Sequence, residues 1–538
     1  MKVSSRYRAV SDPESRERGD RLVAWLREYG ERRLQSRLID ERRSIPVYVG
    51  LDLGNQGLFG VQVEEKYGGL ALRNRDVARV LEQAAGIDLG LGTWLLTSLF
   101  PGVRPIATFA QDALKNELVP ALASGRVLAG YAQTEPGAGT HFPAMVARAV
   151  ARPGGGWLLS GDKVWIGNSS WAGALTVMAH DVAPDGRRRG LTAFAVRTDR
   201  PGVRFGREIL SMGMRGMVQG EIGFRDVEVD EASVLGDREK GLEVGVDSMC
   251  WSRFAIAATC VGAMKRCAQL MLRFASRRSI ATGRLLEHPW LRSSLGETTA
   301  AVALSEALLY RVAQILDAGR GVAVDVFAVC KLAGSELLWT AADRLVQVLG
   351  SRGYDEANGA AQLLRDARVT RIFEGTTEAL LAYVGSQALI PTSELYAFVR
   401  DELSAGDVAD ELERAVRSLR GRRFEGAPGS AEPPRPWQCA LAGQAAMWAL
   451  LVGAASKDLE RAPSDALARA RDWGRLMLGT ACAEAATAPA RERAILELGA
   501  AEAAVAGYAS SIGDVEQTLP GERWGLDPLL RRTPPEGQ

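Results

Sequence analysis

Hydrophobic positions recur every three to four residues over Arg18 to Leu34, Val77 to Ala85 and Asp112 to Ala123. That period predicts amphipathic helices with one buried face. Between them, Gly57 to Val61 and Glu64 to Leu70 are glycine-punctuated and predict loops. Residues 1–127 therefore read as a helical domain. From 128 to 235 the pattern shortens. Val146 to Arg152, Gly156 to Trp165, Ala174 to His180 and Leu191 to Arg197 are brief runs rich in Val, Ala, Leu and aromatics. Turns such as Pro153-Gly154-Gly155-Gly156 and Ala183-Pro184-Asp185-Gly186 bound them, and Gly220 to Val229 closes the series. This predicts an antiparallel β domain. Over 236–390 the helical period returns in long proline-free stretches, Arg253 to Arg278 and Leu295 to Gly319 among them. They predict a four-helix bundle.

Residues 391–538 add a further helical domain. Gly421 to Pro436 is rich in Gly, Pro, Arg and Ser and reads as a linker, about 421–436. Alanine-rich helices are expected over Trp437 to Lys457, Ser464 to Thr480, Cys482 to Ala488 and Ala490 to Ala506, with Pro463 and Pro489 as breaks. The apolar run Cys439 to Ala455 is interrupted by Gln444 and glycines, and its length suits a buried helix better than a membrane span. The predicted fold class is α+β and multidomain: an N-terminal helical domain, a middle antiparallel β domain, a C-terminal four-helix bundle and an extra C-terminal helical domain.

Composition narrows the function classes. A chain of 538 residues exceeds one compact core. A net charge of +1 gives no global field toward nucleic acid or anionic lipid. The N-terminus, Met1-Lys2-Val3-Ser4-Ser5-Arg6-Tyr7-Arg8, lacks the apolar core of a signal peptide. Six cysteines form no CxxC pair, and free thiols in a reducing cytoplasm are the expectation. Three histidines, His141, His180 and His288, have no ligand spacing, so no metal site is expected.

Three segments carry candidate chemistry. Arg371-Ile372-Phe373-Glu374-Gly375-Thr376-Thr377-Glu378 sets a carboxylate against a glycine and two hydroxyls after a helical run. Glycine allows a ligand close to the backbone, and a carboxylate held there is a candidate general base. A Glu-Gly pair alone is more often a helix stop. The second segment is Tyr131-Ala132-Gln133-Thr134-Glu135-Pro136-Gly137-Ala138-Gly139-Thr140, and the third is Gly161-Asp162-Lys163-Val164-Trp165-Ile166-Gly167-Asn168. In this order and spacing the three resemble the signatures of the acyl-CoA dehydrogenase family, and residues 1 to about 390 share its helix–β–helix order. The extension resembles that of the very-long-chain subgroup.

The resemblance implies an oxidoreductase of fatty acid metabolism, a flavoprotein that removes hydrogens from the α and β carbons of an acyl thioester. Glu374 would take the α-proton and FAD the hydride, with the enolate oxygen held by fixed donors. Some family members carry the base on an earlier helix, but Ser252 holds that position here and cannot act as one. By the same resemblance Tyr131, Gln133 and Thr134 line the flavin ring, Trp165 flanks it within Trp165-Ile166-Gly167, and Thr376 touches the diphosphate. Arg278, Gln347 and Gly350 would reach FAD across a subunit interface. Thr140, Arg253 and Gly375 would hold the CoA arm and thioester. The implied partners are an acyl-CoA or acyl-carrier-protein substrate, an electron-transfer flavoprotein and a second copy of the chain.

Several positions depart from the family pattern. Gly167 replaces a hydroxyl residue that bonds flavin, His141 and Cys250 replace aspartates, and Arg278-Ser279-Ile280-Ala281-Thr282 lacks the usual aromatic. Gly350-Ser351-Arg352-Gly353 alters a glycine turn. They leave open a carrier-protein thioester as substrate, reoxidation by O2 as in an acyl-CoA oxidase, or a protein without turnover. A DNA-binding superfamily member is disfavoured, because residues 391–538 hold 17 Lys and Arg against 22 Asp and Glu.

Overall fold

The computed structural model describes residues 1–139, 141–419, 436–488 and 494–514. Thr140 and the expected linker, apart from Pro436, lie outside the described residues. The chain divides into two compact units, Met1–Ala485 and Ala486–Gln538.

The N-terminal region is helical. Its longer helices are α1 (Asp12–Arg32), α2 (Asn74–Ile87), α3 (Leu89–Thr97) and α4 (Asp112–Ala123). Asp88 caps α3 by accepting from Leu91 N at 2.6 Å. α3 then widens into a π turn at Ser98–Val103, where Pro101 offers no N–H.

An eight-stranded sheet follows: β1 (Leu128–Ala132), β2 (Arg148–Ala151), β3 (Trp157–Gly167), β4 (Ala172–Val182), β5 (Arg188–Arg197), β6 (Val203–Glu208), β7 (Gln219–Val229) and β8 (Val234–Leu235). The order is β6-β7-β3-β2-β4-β5-β8, with β1 also on β4. The sheet is mixed rather than purely antiparallel. β1 and β2 both run parallel to β4, pairing with Ala172–Val177 and with His180–Val182 respectively. They share one edge of β4, and the segment 133–147 leaves the sheet between them. The parallel pairings arise because that long excursion returns the chain in its original direction, which a tight hairpin cannot do. One face buries Trp157, Leu175, Phe194 and Phe224, and the other buries Ala129, Ala174 and Met178 beneath helices.

Three long helices return: α5 (Gly241–Ala275), α6 (Pro289–Asp317) and α7 (Val324–Leu349). Two shorter ones, α8 (Gly359–Thr370) and α9 (Thr377–Ala388), complete the bundle. α5 and α7 cross closely at Gly334, where an added Cβ would meet Ala257 Cα at 3.3 Å.

Beyond the bundle come α10 (Gly406–Val416), α11 (Pro436–Arg461) and α12 (Asp465–Ala486). α12 runs unbroken across Ala481, where two helices were expected: no proline intervenes, and Gly479 is tolerated in the helix interior. α6 and α11 are long and apolar enough to cross a membrane, but most of each apolar window is buried in protein. The second unit holds α13 (Leu498–Ala506) and a turn of helix at Ala509–Ile512, with Leu498, Val505, Tyr508 and Ile512 exposed.

Candidate active site

Glu374 lies in the loop between α8 and α9, with φ +53. That left-handed conformation is uncommon outside glycine and asparagine, and it turns the side chain away from the helical path. Gly375 follows at φ +101, and a Cβ there would stand 3.0 Å from Leu380 Cδ2 and 3.4 Å from Arg253 Nη2. Only glycine meets both demands.

Six hydrogen bonds tie the loop. Thr377 N donates to Arg371 O at 3.0 Å and closes its neck. The Glu336 carboxylate on α7 accepts from Arg371 Nε at 2.7 Å and from the Thr377 hydroxyl. Arg253 Nε on α5 donates to Glu374 O at 3.1 Å, and Lys331 Nζ on α7 donates to Gly375 O at 2.7 Å. Thr376 caps α9 by accepting from Ala379 N at 3.3 Å. The Glu374 N–H has no acceptor among the described residues.

Burial pushes the Glu374 carboxyl up to about 7, while Arg253 and Lys331 pull it down. A base poised near neutrality suits proton abstraction at physiological pH. Burial also holds the Tyr131 phenol un-ionised, and the Glu374 charge adds to that. Glu374 thus lies within electrostatic reach of Tyr131, 243 residues away in sequence.

Tyr131 and Gln133 point to one side of β1 and its continuation. The Tyr131 hydroxyl donates to Gln133 Oε1 at 2.8 Å, and both close on Gly245 of α5. Strand alternation sends Thr134 to the other side. Its carbonyl accepts from Val164 N at 3.0 Å, and its hydroxyl has no partner among the described residues. Trp165 lies two residues before the end of β3, at φ +59, with 56% of its surface exposed. Ile166 is buried in the sheet core. At Gly167 a Cβ would stand 2.7 Å from Thr97 Cγ2, so Thr97 occupies the space of the missing side chain.

Beneath this surface lies a buried ion pair that the sequence reading passed over. Lys163 is fully buried, and its Nζ donates to Glu135 Oε1 at 2.8 Å, to Gln133 O at 3.0 Å and to Met178 O at 2.8 Å. Glu135 also accepts from Val146 N at 2.6 Å and Ala147 N at 3.1 Å. The pair fills the gap in the sheet edge between β1 and β2 and fixes both ends of the 133–147 excursion.

The remaining candidates lie elsewhere. Arg278 is exposed just past α5, about 33 Å of helix beyond Arg253 at 1.5 Å per residue. Gln347 and Gly350 are exposed at the end of α7, with Gly350 at φ +61. None of the three touches the Glu374 loop among the described residues. Thr140 lies outside the described residues. Ser252 is buried with its hydroxyl unpartnered, and Cys250 is a buried thiol pushed up to about 12. Lys331 and Glu336 were not picked out by motif. The one available signal for Lys331 was a lone charge inside the apolar run Phe327 to Ala333.

The first unit thus sets a helical domain, a mixed sheet and a helical bundle in series, with a half-buried glutamate on a left-handed turn and an exposed indole. Three family models match in series: acyl-CoA dehydrogenase, N-terminal domain over 17–126, middle domain over 130–227 and C-terminal domain over 239–389. The chain belongs to the acyl-CoA dehydrogenase family. It is 30% identical over 373 residues to the mitochondrial very long-chain specific acyl-CoA dehydrogenase of Rattus norvegicus, covering 68% of this chain and 57% of that protein. It thus spans little more than half the length of that relative. An acyl-CoA dehydrogenase of Bacillus anthracis solved with FAD superposes with a TM-score of 0.73 at 21% identity, covering 90% of this chain and 89% of that one. The prolyl acyl carrier protein oxidase AnaB superposes with a TM-score of 0.65 at 24% identity, covering 70% and 98%. These two likenesses concern the fold alone.

Proposed function

We propose that this chain is an FAD-dependent dehydrogenase of acyl thioesters, with Glu374 as the base. The observation that carries the reading is the Glu374 loop: a carboxyl held near neutrality, fixed by cationic donors on two helices. The residues present fit a flavin. Trp165 offers an open aromatic face, Thr134 an unspent hydroxyl, and the Thr376-capped start of α9 a favourable place for a diphosphate. The backbone of Tyr131, Gln133, Ile166 and Gly167 would complete that wall. FAD, when bound, supplies the acceptor for the β-hydrogen as hydride.

The protein's own part is proton removal and charge stabilisation. Glu374 takes the α-proton, and its free N–H is the donor available to the developing enolate oxygen. Gly375 lets the thioester approach the backbone, and Arg253 holds the carbonyl that precedes it. Thr140 and Arg253 would bind the CoA or carrier-protein arm. Arg278, Gln347 and Gly350, distant from Glu374, would serve the flavin of a second copy in a homodimer. Electrons would pass to an electron-transfer flavoprotein in the cytoplasm, and rapid reoxidation of reduced protein by air would favour the oxidase reading instead.

The test is direct. Purified protein should be yellow and bleach anaerobically with acyl-CoAs. Glu374→Gln should keep flavin and slow bleaching by at least about 100-fold, the usual worth of a general base. Near-normal bleaching by that variant would end the assignment.

A further inference from the structure

Lys331 is a buried cation that the reaction above leaves without a task. It sits mid-helix on α7, fully buried, in a run that is otherwise apolar. Its Nζ donates to the Gly375 carbonyl at 2.7 Å, and among the described residues no carboxylate stands within ion-pair distance of it. Burying an ammonium without a counter-ion is unfavourable to folding, and a methionine of similar length would pack in the same apolar run without that penalty. The groups that act on it are Cys260 and Arg253 of α5, Glu336 of its own helix and Glu374. Those that act on Glu374 are Arg253 and Lys331, with Tyr131 of β1 feeling the carboxylate in turn.

We propose that Lys331 is a positioning residue for Glu374: its amine fixes the Gly375 carbonyl and so sets a buried positive charge beside the loop that carries the carboxyl. The geometry is a clamp. Arg253 and Lys331 hold two successive carbonyls, of Glu374 and Gly375, from two different helices, so the peptide between them cannot rotate. The electrostatics run both ways. Burial draws the Lys331 amine down to about 8 and Glu374 pulls it back up, while Lys331 lowers the carboxyl that burial has raised.

The inference rests on Glu374 being the base. Its test uses the flavin-loaded protein and an infrared difference titration of the Glu374 carboxyl, assigned by its loss in Glu374→Gln. Lys331→Met should raise the carboxyl midpoint by about one pH unit, the low end of what one nearby opposite charge does. Lys331→Arg should leave it in place. The acid limb of single-turnover bleaching should move with the midpoint. An unmoved midpoint in folded Lys331→Met protein would overturn the proposal, because a purely structural lysine changes stability and not that titration. Should Lys331→Met fail to fold, the reciprocal measurement decides. The Lys331 amine, followed by carbon-13 NMR, should titrate lower in Glu374→Gln than in the parent chain, and an unchanged value would overturn the proposal. Bleaching that survives Glu374→Gln would sink the base assignment itself. Loss of bleaching with an unmoved midpoint in Lys331→Met would sink only the role of Lys331.

Discussion

Gly167 and Glu374 mark two ways in which single residues are fitted to their surroundings. The family's hydroxyl residue is absent at 167, and the space is filled from another element, by the Thr97 methyl at the end of α3. Restoring the side chain alone should therefore fail. Gly167→Thr is expected to destabilise the chain by about 1–3 kcal/mol through overpacking, and Thr97→Ala in the same chain should relieve most of that. Urea denaturation of the two single variants and the double variant reads the coupling, and simple additivity would argue against the contact. Glu374 makes a prediction about pH. Burial raises its carboxyl from an ordinary 4.5 to about 7 in the native state. Between those values the native chain keeps a proton that the unfolded chain has released. Stability from this group is thus fullest below about pH 4.5 and falls as pH rises to about 7. Glu374→Gln lacks the titration. Its melting temperature should exceed the parent's at pH 8, and the gap should close on acidification toward pH 4.5. A gap independent of pH would contradict the burial argument.

At the scale of elements, the 133–147 excursion depends on one ion pair. β1 and β2 share an edge of β4, and Lys163 fills the gap between them while Glu135 holds both returning N–H groups. Removing one partner leaves the other charged and buried. Lys163→Met should lower stability by about 3–5 kcal/mol in denaturant titration and weaken flavin retention on gel filtration. A stable variant that keeps its flavin would show the pair to be dispensable. Elements whose signal is local were legible before the structure. α4 spans Asp112–Ala123 as its period predicted, and β7 and the glutamate loop stood out through alternation and an unusual Glu-Gly-Thr-Thr run. β1 was missed because Leu-Ala-Gly-Tyr-Ala carries no alternation, and β6 because Val-Arg-Phe-Gly-Arg-Glu is short, charged and exposed over all but its first residue. Lys331 and Lys163 were not legible as site-building residues for a different reason. Their partners lie 44 and 28 positions away, so only the tertiary fold reveals what a buried lysine holds.

For the whole molecule, the question is what the extension does for the core of the first unit. α11 crosses α9, the helix that starts two residues after Gly375, at a pair of glycines. A Cβ on Gly385 would lie 1.7 Å from Cys439 O, and one on Gly443 would lie 2.1 Å from Leu381 O. The two backbones are in contact, and no side chain can be inserted without separating the helices. α12 seats on the same assembly, where a Cβ on Gly474 would stand 3.0 Å from Leu304 Cδ1 of α6 and 3.1 Å from Val452 Cγ2 of α11. α11 buries Leu441, Trp448, Leu450, Leu451 and Val452, apolar surface that would face water if the helix left. α11 and α12 are therefore packed into the body of the first unit rather than tethered to it. Gly443→Leu should force α11 off α9. The expected result is a lower melting temperature, new binding of a hydrophobic dye and reduced bleaching, because α9 anchors one end of the Glu374 loop through Thr376 and Thr377. Truncation before Pro436 should expose the same face of α9 and drive aggregation or a larger oligomer, read by light scattering. A truncated chain that stayed soluble, active and unchanged in mass per assembly would show that the crossing at Gly385 and Gly443 is incidental to the site.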